Sequence, residues 1–362
     1  MWPHFKVRAF HGSSKPSVDF AMRLEVTEGR TEEAIRNALR DSARPFRSSE
    51  AVGAAMRRLL ANNLADLPLP AGGQTLERWR TLAAVAAVDL SLAKVYEGHT
   101  DALAILAELH GPKATGLWAV WAAEPPQARV TIHLDENGGT LSGRKAWCSG
   151  ATAVDSAVLS VWTPDEQSIL VAVSLRQPGI RVETDGWKAV GMAASESATV
   201  LFDGARAEII GGPGDYVARP GFWQGGAGIA AVWYGATVAV ARTLADSTKV
   251  ASDPHAAAHL GAVDTALRAA RALLIETATW IDTHPTADAA EAALRVRACV
   301  EAAAHEVLLR TGRALGPALL CGDAIHAQRC ADLPVFLRQS HAEHDLAALG
   351  RAIATHSPTW NL

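Results

Sequence analysis

The run Leu141-Ser142-Gly143-Arg144-Lys145-Ala146-Trp147-Cys148-Ser149-Gly150 sets a cation, an indole and a hydroxyl close together. If the segment is a strand, alternation puts Lys145, Trp147 and Ser149 on one face. An indole can cover the face of a planar heteroaromatic ligand, and a hydroxyl beside it can donate to a ring nitrogen or carbonyl. The same residues would equally build a strand whose tryptophan fills a core. A second polar cluster, Ser340-His341-Ala342-Glu343-His344-Asp345, carries several titratable groups. Its His-x-x-His spacing is one residue short of the zinc-helix motif, so no metal site is expected. Ser340 as N-cap and Glu343 closing a capping box would make it a solvated helix start. The chain lacks a GxGxxG after a strand, GxxxxGK[ST], HExxH and GxSxG.

The elements that must position these groups follow from texture. Residues 31–115 read as helix, with Thr31-Glu32-Glu33 ahead of Ala34, Ile35 and Leu39 as a start signal. A long Ala, Leu and Val zone runs from Leu76 to Leu109, with a break or bend expected near Glu97-Gly98-His99 and a stop at Gly111-Pro112. Residues 117–212 change to strand texture. Val130, Ile132 and Leu134 alternate with Thr131 and His133, the turn Asn137-Gly138-Gly139 follows, and Ser168 to Val173 is apolar on both faces. Thr199 to Phe202 ahead of Asp203-Gly204 is a further strand and turn. Strands so spaced predict an antiparallel barrel or sandwich. From Pro220 the chain is helical again, with Val263, Leu267, Ala270, Leu274 and Ile281 forming a seam, and with helices expected over about 286–314 and 340–354. The expected fold class is α+β multidomain: an N-terminal helical domain (1–116), a middle antiparallel β-barrel domain (117–212) and a C-terminal helical bundle (213–362).

Composition narrows the function. The 362 residues hold 34 Lys+Arg against 38 Asp+Glu, a net charge of -4 that argues against nucleic-acid binding. The apolar fraction of 49% is that of a globular chain long enough for two or three domains. Cys148, Cys299, Cys321 and Cys330 form no CxxC pair, which predicts reduced thiols and a cytoplasmic setting. The opening MWPHFKVRAFHGSS shows no apolar signal core, and no uncharged membrane-length stretch is read, so no membrane span is expected.

Several strings, taken in order, resemble the acyl-CoA dehydrogenase family of flavoproteins. Gly143 to Gly150 is similar to the family's Gly-x-Lys-x-Trp-Ile-Thr strand, with Trp147 matching the Trp and Ser149 the Thr. Ala122-Ala123-Glu124-Pro125 resembles its Val-Thr-Glu-Pro turn, with Ala123 in place of the Thr. Gly191-Met192-Ala193-Ala194-Ser195 through Val200-Leu201-Phe202-Asp203 resembles the Gly-Met-Arg-x-Ser/Thr segment and the strand after it. Tyr96-Glu97-Gly98-His99 resembles the Glu-Gly-Asn bend at the tip of the acyl pocket. The likeness covers roughly 75–350. It implies FAD held against Trp147, Ser149, Ala123 and Trp121, with Arg338 offering a cation to a flavin or CoA phosphate and Glu97 in the substrate pocket. It also implies a homo-oligomer, dimer or tetramer, assembled through the C-terminal helices.

The departures from the family fall on the reaction itself. An acyl-CoA dehydrogenase removes an α-proton with a carboxylate while a hydride leaves to the flavin. Here Phe336-Leu337-Arg338-Gln339-Ser340 stands where the family has Tyr-Glu-Gly-Thr, so Leu337 occupies the base position. The helix starting near Phe222, where some members carry the base, has no acid, and the Arg-x-x-Phe-Gly segment that holds FAD across a subunit interface is missing. His341, Glu343 and Glu97 are the remaining candidates for a proton acceptor. Three readings follow. The first is an FAD-dependent oxidoreductase acting on CH-CH groups of an acyl-CoA or a related small substrate. The second is a flavin-dependent monooxygenase-type relative, which needs no carboxylate base. The third is a non-catalytic partner subunit.

Overall fold

The structure, a computed structural model, describes residues 31–135, 138–356 and 360–361. The chain's opening segment and Asn137 of the expected turn lie outside the described residues.

Residues 31–38 are helical, followed by α1 (Ser49–Ala61), α2 (Thr75–Val88) and α3 (Leu90–Glu108). The hydroxyl of Ser48 caps α1 by accepting from Ala51 N. The expected break at Glu97-Gly98-His99 does not occur, and α3 is continuous through it. The break falls at Asp89 instead, which is extended at φ -161°. Its carboxylate accepts Leu92 N at 2.9 Å and Phe46 N at 3.4 Å, so the extended backbone of Asp89 ends α2 and its side chain starts α3. A glycine lowers helix propensity by only about 1 kcal/mol, whereas a capping Asp satisfies otherwise orphaned donors.

Seven strands follow: β1 (Trp118–Trp121), β2 (Val130–Asp135), β3 (Gly138–Cys148), β4 (Ser156–Trp162), β5 (Ser168–Ser174), β6 (Ile180–Glu183) and β7 (Ala198–Gly211). They pair in the order β1-β4-β2-β3-β7-β5, and β5 also pairs with β4, which closes a barrel. β6 adds to β7. Pairing is antiparallel except at β1–β4 and β2–β4, which are parallel. The doubly apolar β5 is buried from Ile169 to Val173, as a strand covered on both faces must be.

The C-terminal helices are α4 (Gly221–Ala245), α5 (Pro254–Thr283), α6 (Ala290–Leu315), α7 (Ala324–Phe336) and α8 (Glu343–Ala354). α4 corrects one expectation, because it is long and apolar enough to cross a membrane by length and composition. It is instead mostly buried as the central helix, packed on α2, α5 and α6. Its Gly235 meets α2 directly: a Cβ there would lie 2.1 Å from Ala83 O, so the two backbones touch only because the side chain is absent. Along α5 the seam residues Val263, Ala270, Leu274 and Ile281 are all buried.

Candidate functional site

The barrel side of the site is built by the end of β1, the turn after it, and the end of β3. Trp121 is buried, and its indole Nε1 donates to Ser149 O at 3.2 Å, which makes it a brace under β3. Lys145 is 1% exposed. Its Nζ donates to Ser160 O and Ser160 Oγ, each at 2.8 Å, and lies 3.6 Å from Glu124 Oε1. Ser160 Oγ donates to the same Glu124 oxygen at 2.6 Å. The Ala123-Glu124-Pro125 turn is thereby clamped to β3. Burial lowers the Lys145 pKa, opposed by the nearby Glu124 carboxylate.

Lys145 and Trp147 do not share a face, contrary to simple alternation. The β3–β7 register shifts between Lys145 and Cys148, and Trp147 takes φ 58°. The bulge sends Lys145 inward and turns the indole out, where Trp147 is 58% exposed. Ala123 is exposed too. Cys148 points into the core, and burial pushes its thiol up to about 12, far from reactive. Ser149 is half-buried, and its Oγ shares a 2.7 Å hydrogen bond with Ser197 Oγ.

Ser197 went unnoticed in the sequence, two residues beyond the matched Gly-Met-Ala-Ala-Ser string. Its loop is held from below by α7. The Asp332 carboxylate accepts Met192 N at 2.5 Å and Gln328 Nε2 at 2.6 Å. A Cβ on Gly191 would lie 1.9 Å from Ala331 O, so this contact requires glycine. Ser195 adds its Oγ to Met192 O at 2.8 Å and accepts Gly150 N at 2.8 Å on its carbonyl. Burial raises the Asp332 pKa to about 6.

On the helical side, α3 packs on β1 and on the 193–195 turn, with α4 and α7 against it. Glu97 pairs with Lys94 at 2.9 Å, and Lys94 Nζ stands 5.7 Å from the centre of the Phe336 ring. His99 is buried and ties α3 to β1, accepting Trp118 N on Nδ1 at 3.1 Å. Burial brings its pKa down to about 4, so it is neutral at pH 7. Leu337 is 0% exposed and belongs to the main core. Arg338 is exposed and pairs with Glu301 on α6.

The His341 cluster begins α8 in a form the sequence did not suggest. The N-cap is Ala342, at φ 46°, and no capping box forms. Ser340 Oγ accepts Ala342 N at 3.0 Å, and Asp345 Oδ2 accepts His341 N at 3.1 Å. The His341 and His344 side chains are 75% and 80% exposed. Donor atoms of His341, His344 and Asp345 lie within 4.8 Å of one another. Glu343 is exposed in the first turn of α8.

A wider groove of about 760 Å³ opens outside the barrel, between Arg129, Arg144, Arg181 and Asp203. Its lining includes neither Trp147 nor Ser149, so it is separate from this site.

The closed barrel between two sets of helices has counterparts among solved structures. Butyryl-CoA dehydrogenase from Megasphaera elsdenii superposes with a TM-score of 0.77 at 15% identity, over 91% of this chain and 98% of that one. The chain has the acyl-CoA dehydrogenase fold. TdsC from Paenibacillus sp. A11-2, solved as a complex with FMN and indole, superposes with a TM-score of 0.74 at 18% identity, over 94% of this chain and 99% of that one. In sequence, the chain is 27% identical over 202 residues to a probable FMNH2-dependent monooxygenase, SfnC, of Pseudomonas putida. That match spans 50% of this chain and 45% of the relative, so about half of the relative's length is covered. No family model matches the chain.

Proposed function

We propose that the protein is a flavin-dependent oxidoreductase of the monooxygenase type, with FMN rather than FAD as its flavin. The observation that carries this reading is the pairing of an outward indole with a buried aliphatic at the base position. Trp147 stands 58% exposed two residues from the Ser149 hydroxyl, and Ala123 is exposed too, which fits a planar ring with a polar edge. Leu337 is fully buried and can accept no proton. A reaction that begins by removing an α-proton therefore lacks its acceptor, whereas oxygenation does not need one. A reduced flavin bound there would supply electrons to dioxygen. The chain's own residues hold the ring's surroundings: Lys145 fixes the Glu124 turn, Trp121 braces Ser149, and Ser197 orients the Ser149 hydroxyl.

FMN is favoured because the family's FAD-holding Arg-x-x-Phe-Gly segment is absent, TdsC binds FMN, and SfnC is a probable FMNH2-dependent monooxygenase. Small heteroaromatic or organosulfur molecules are favoured over acyl-CoA. The exposed Leu309, Leu320 and Leu346 on C-terminal helices favour a homo-oligomer. The four free thiols accord with a cytoplasmic location. The test is spectroscopic. The purified chain is titrated with FMN and FAD, then given butyryl-CoA without oxygen. Binding of FMN with no bleaching by butyryl-CoA is expected, and chemically reduced FMN on the protein should consume oxygen. Anaerobic bleaching by butyryl-CoA would overturn the monooxygenase reading, and failure to take up either flavin would overturn the flavoprotein reading.

A further inference from the structure

We propose that Asp101 sets the substrate specificity of this site, and that the substrate presents to it an N–H or O–H donor. This rests on the location of the site given above and adds the chemistry of its far wall. Lys94, Glu97 and Asp101 follow one another at helical spacing along one face of α3. Opposite them the start of α4 reads Gly221-Phe222-Trp223-Gln224-Gly225-Gly226, and its two glycines bring no side chain to this contact. A Cβ on Gly226 would meet nothing within 4 Å. A Cβ on Gly225 would lie 2.9 Å from Asp101 Oδ1, so the aspartate projects into the space that a side chain on α4 would otherwise fill.

Among the described residues the Asp101 carboxyl has no hydrogen-bond or ion-pair partner, unlike the charged groups next to it. Lys94 is bonded to Glu97 at 2.9 Å. Arg219 is bonded to Glu108 at 2.8 Å. Arg78 donates to Pro68 O and Thr100 O, each at 3.2 Å. Arg297, on α6, donates to Gly226 O at 3.1 Å and to Gln339 O at 2.8 Å. Burial raises the Asp101 pKa, with Arg219, Arg78 and Lys94 acting against it and Glu97 reinforcing it. Asp101 is half-buried, and a carboxyl without a protein partner beside two glycines is an acceptor free to select a donor. A saturated acyl chain placed there would leave the carboxyl unsatisfied, which such sites reject strongly.

The test uses two planar probes of one shape, indole with its N–H and benzofuran with an ether oxygen in that place. Dissociation constants for both are measured by calorimetry on the full chain, with and without FMN. The wild type should bind indole at least about tenfold tighter than benzofuran. Asp101→Leu should erase that preference while leaving FMN uptake unchanged. Gly225→Ala, which presses a methyl on the carboxylate without removing it and suits a helix, should weaken indole binding and keep the fold. Equal binding of the two probes by the wild type, or a preference surviving in Asp101→Leu, would overturn the proposal. If no flavin binds but the indole preference persists and depends on Asp101, this inference stands and the flavoprotein reading falls.

Discussion

Replacing Trp147 by alanine isolates the ring platform, because little else depends on that side chain. Trp147 is 58% exposed, so its removal leaves no core cavity. Of about 250 Å² of tryptophan surface, some 145 Å² is free, and a flat ligand covering one face would bury about half of that. At about 25 cal/mol per Å², roughly 70 Å² is worth about 1.8 kcal/mol, or about twentyfold in Kd. The chain's melting temperature should stay nearly unchanged, and the φ of 58° at this residue favours a small side chain over a bulky one. The assay is quenching of flavin fluorescence as FMN is titrated with protein. Trp147→Phe should recover most of the loss, since a smaller ring still stacks. An Ala variant with wild-type FMN affinity and a wild-type melt would refute the assignment of the ring to this face.

Three further outcomes test the supports. Lys145→Met should cost about 2 kcal/mol, because Ser160 and Glu124 lose a buried donor. The folded pKa of Lys145 lies below 10.5, so the unfolded chain binds the extra proton as pH rises toward that value. The wild-type advantage over Lys145→Met should therefore widen between neutral and alkaline pH, as read from denaturant melts. Asp332 is raised from 3.8 to about 6, so the folded chain holds more protons in that window and wild-type stability falls as pH rises through it. Asp332→Asn has no such proton, and its stability relative to wild type should be higher at pH 7 than at pH 4. Leu337→Glu would place an unpaired carboxylate in the core and should destabilise the chain by several kcal/mol without creating acyl-CoA dehydrogenase activity. A stable Leu337→Glu variant that bleaches flavin with butyryl-CoA would show that the pocket had kept its geometry.

The barrel was legible because its strands state their environment locally. Val130 to Leu134 alternate, and Ser168 to Val173 are apolar throughout, which leaves few alternatives to half-buried and fully buried strands. The helix break was misplaced because Gly98 is conspicuous, while the partners of Asp89 include Phe46, distant in sequence. Lys145 and Trp147 were assigned one face because alternation assumes an unbroken ladder, and a bulge is set by the pairing partner β7. Ser197, Asp332 and Asp101 carry no motif. Their importance lies in contacts across 48 and 140 residues of chain and in glycines on another helix.

The two walls of the site are constrained to different degrees, and this bears on the reaction. On the barrel wall two hydrogen-bonded sets stand side by side, Lys145–Ser160–Glu124 and Trp121–Ser149–Ser197. Such sets are expensive to leave half-satisfied, so they hold the Glu124 turn and the Ser149 end of β3 in one arrangement. On the helical wall, the base position holds a core leucine, and the opposing face of α3 presents charged groups. A leucine seated in the core also removes the room a carboxylate would need to swing toward a substrate. Restoring the acid alone cannot restore a dehydrogenase, because the charged face of α3 would still exclude an aliphatic chain. The arrangement makes sense if the ring platform serves a different partner molecule and the reaction draws its reactivity from the bound ring rather than from a protein base.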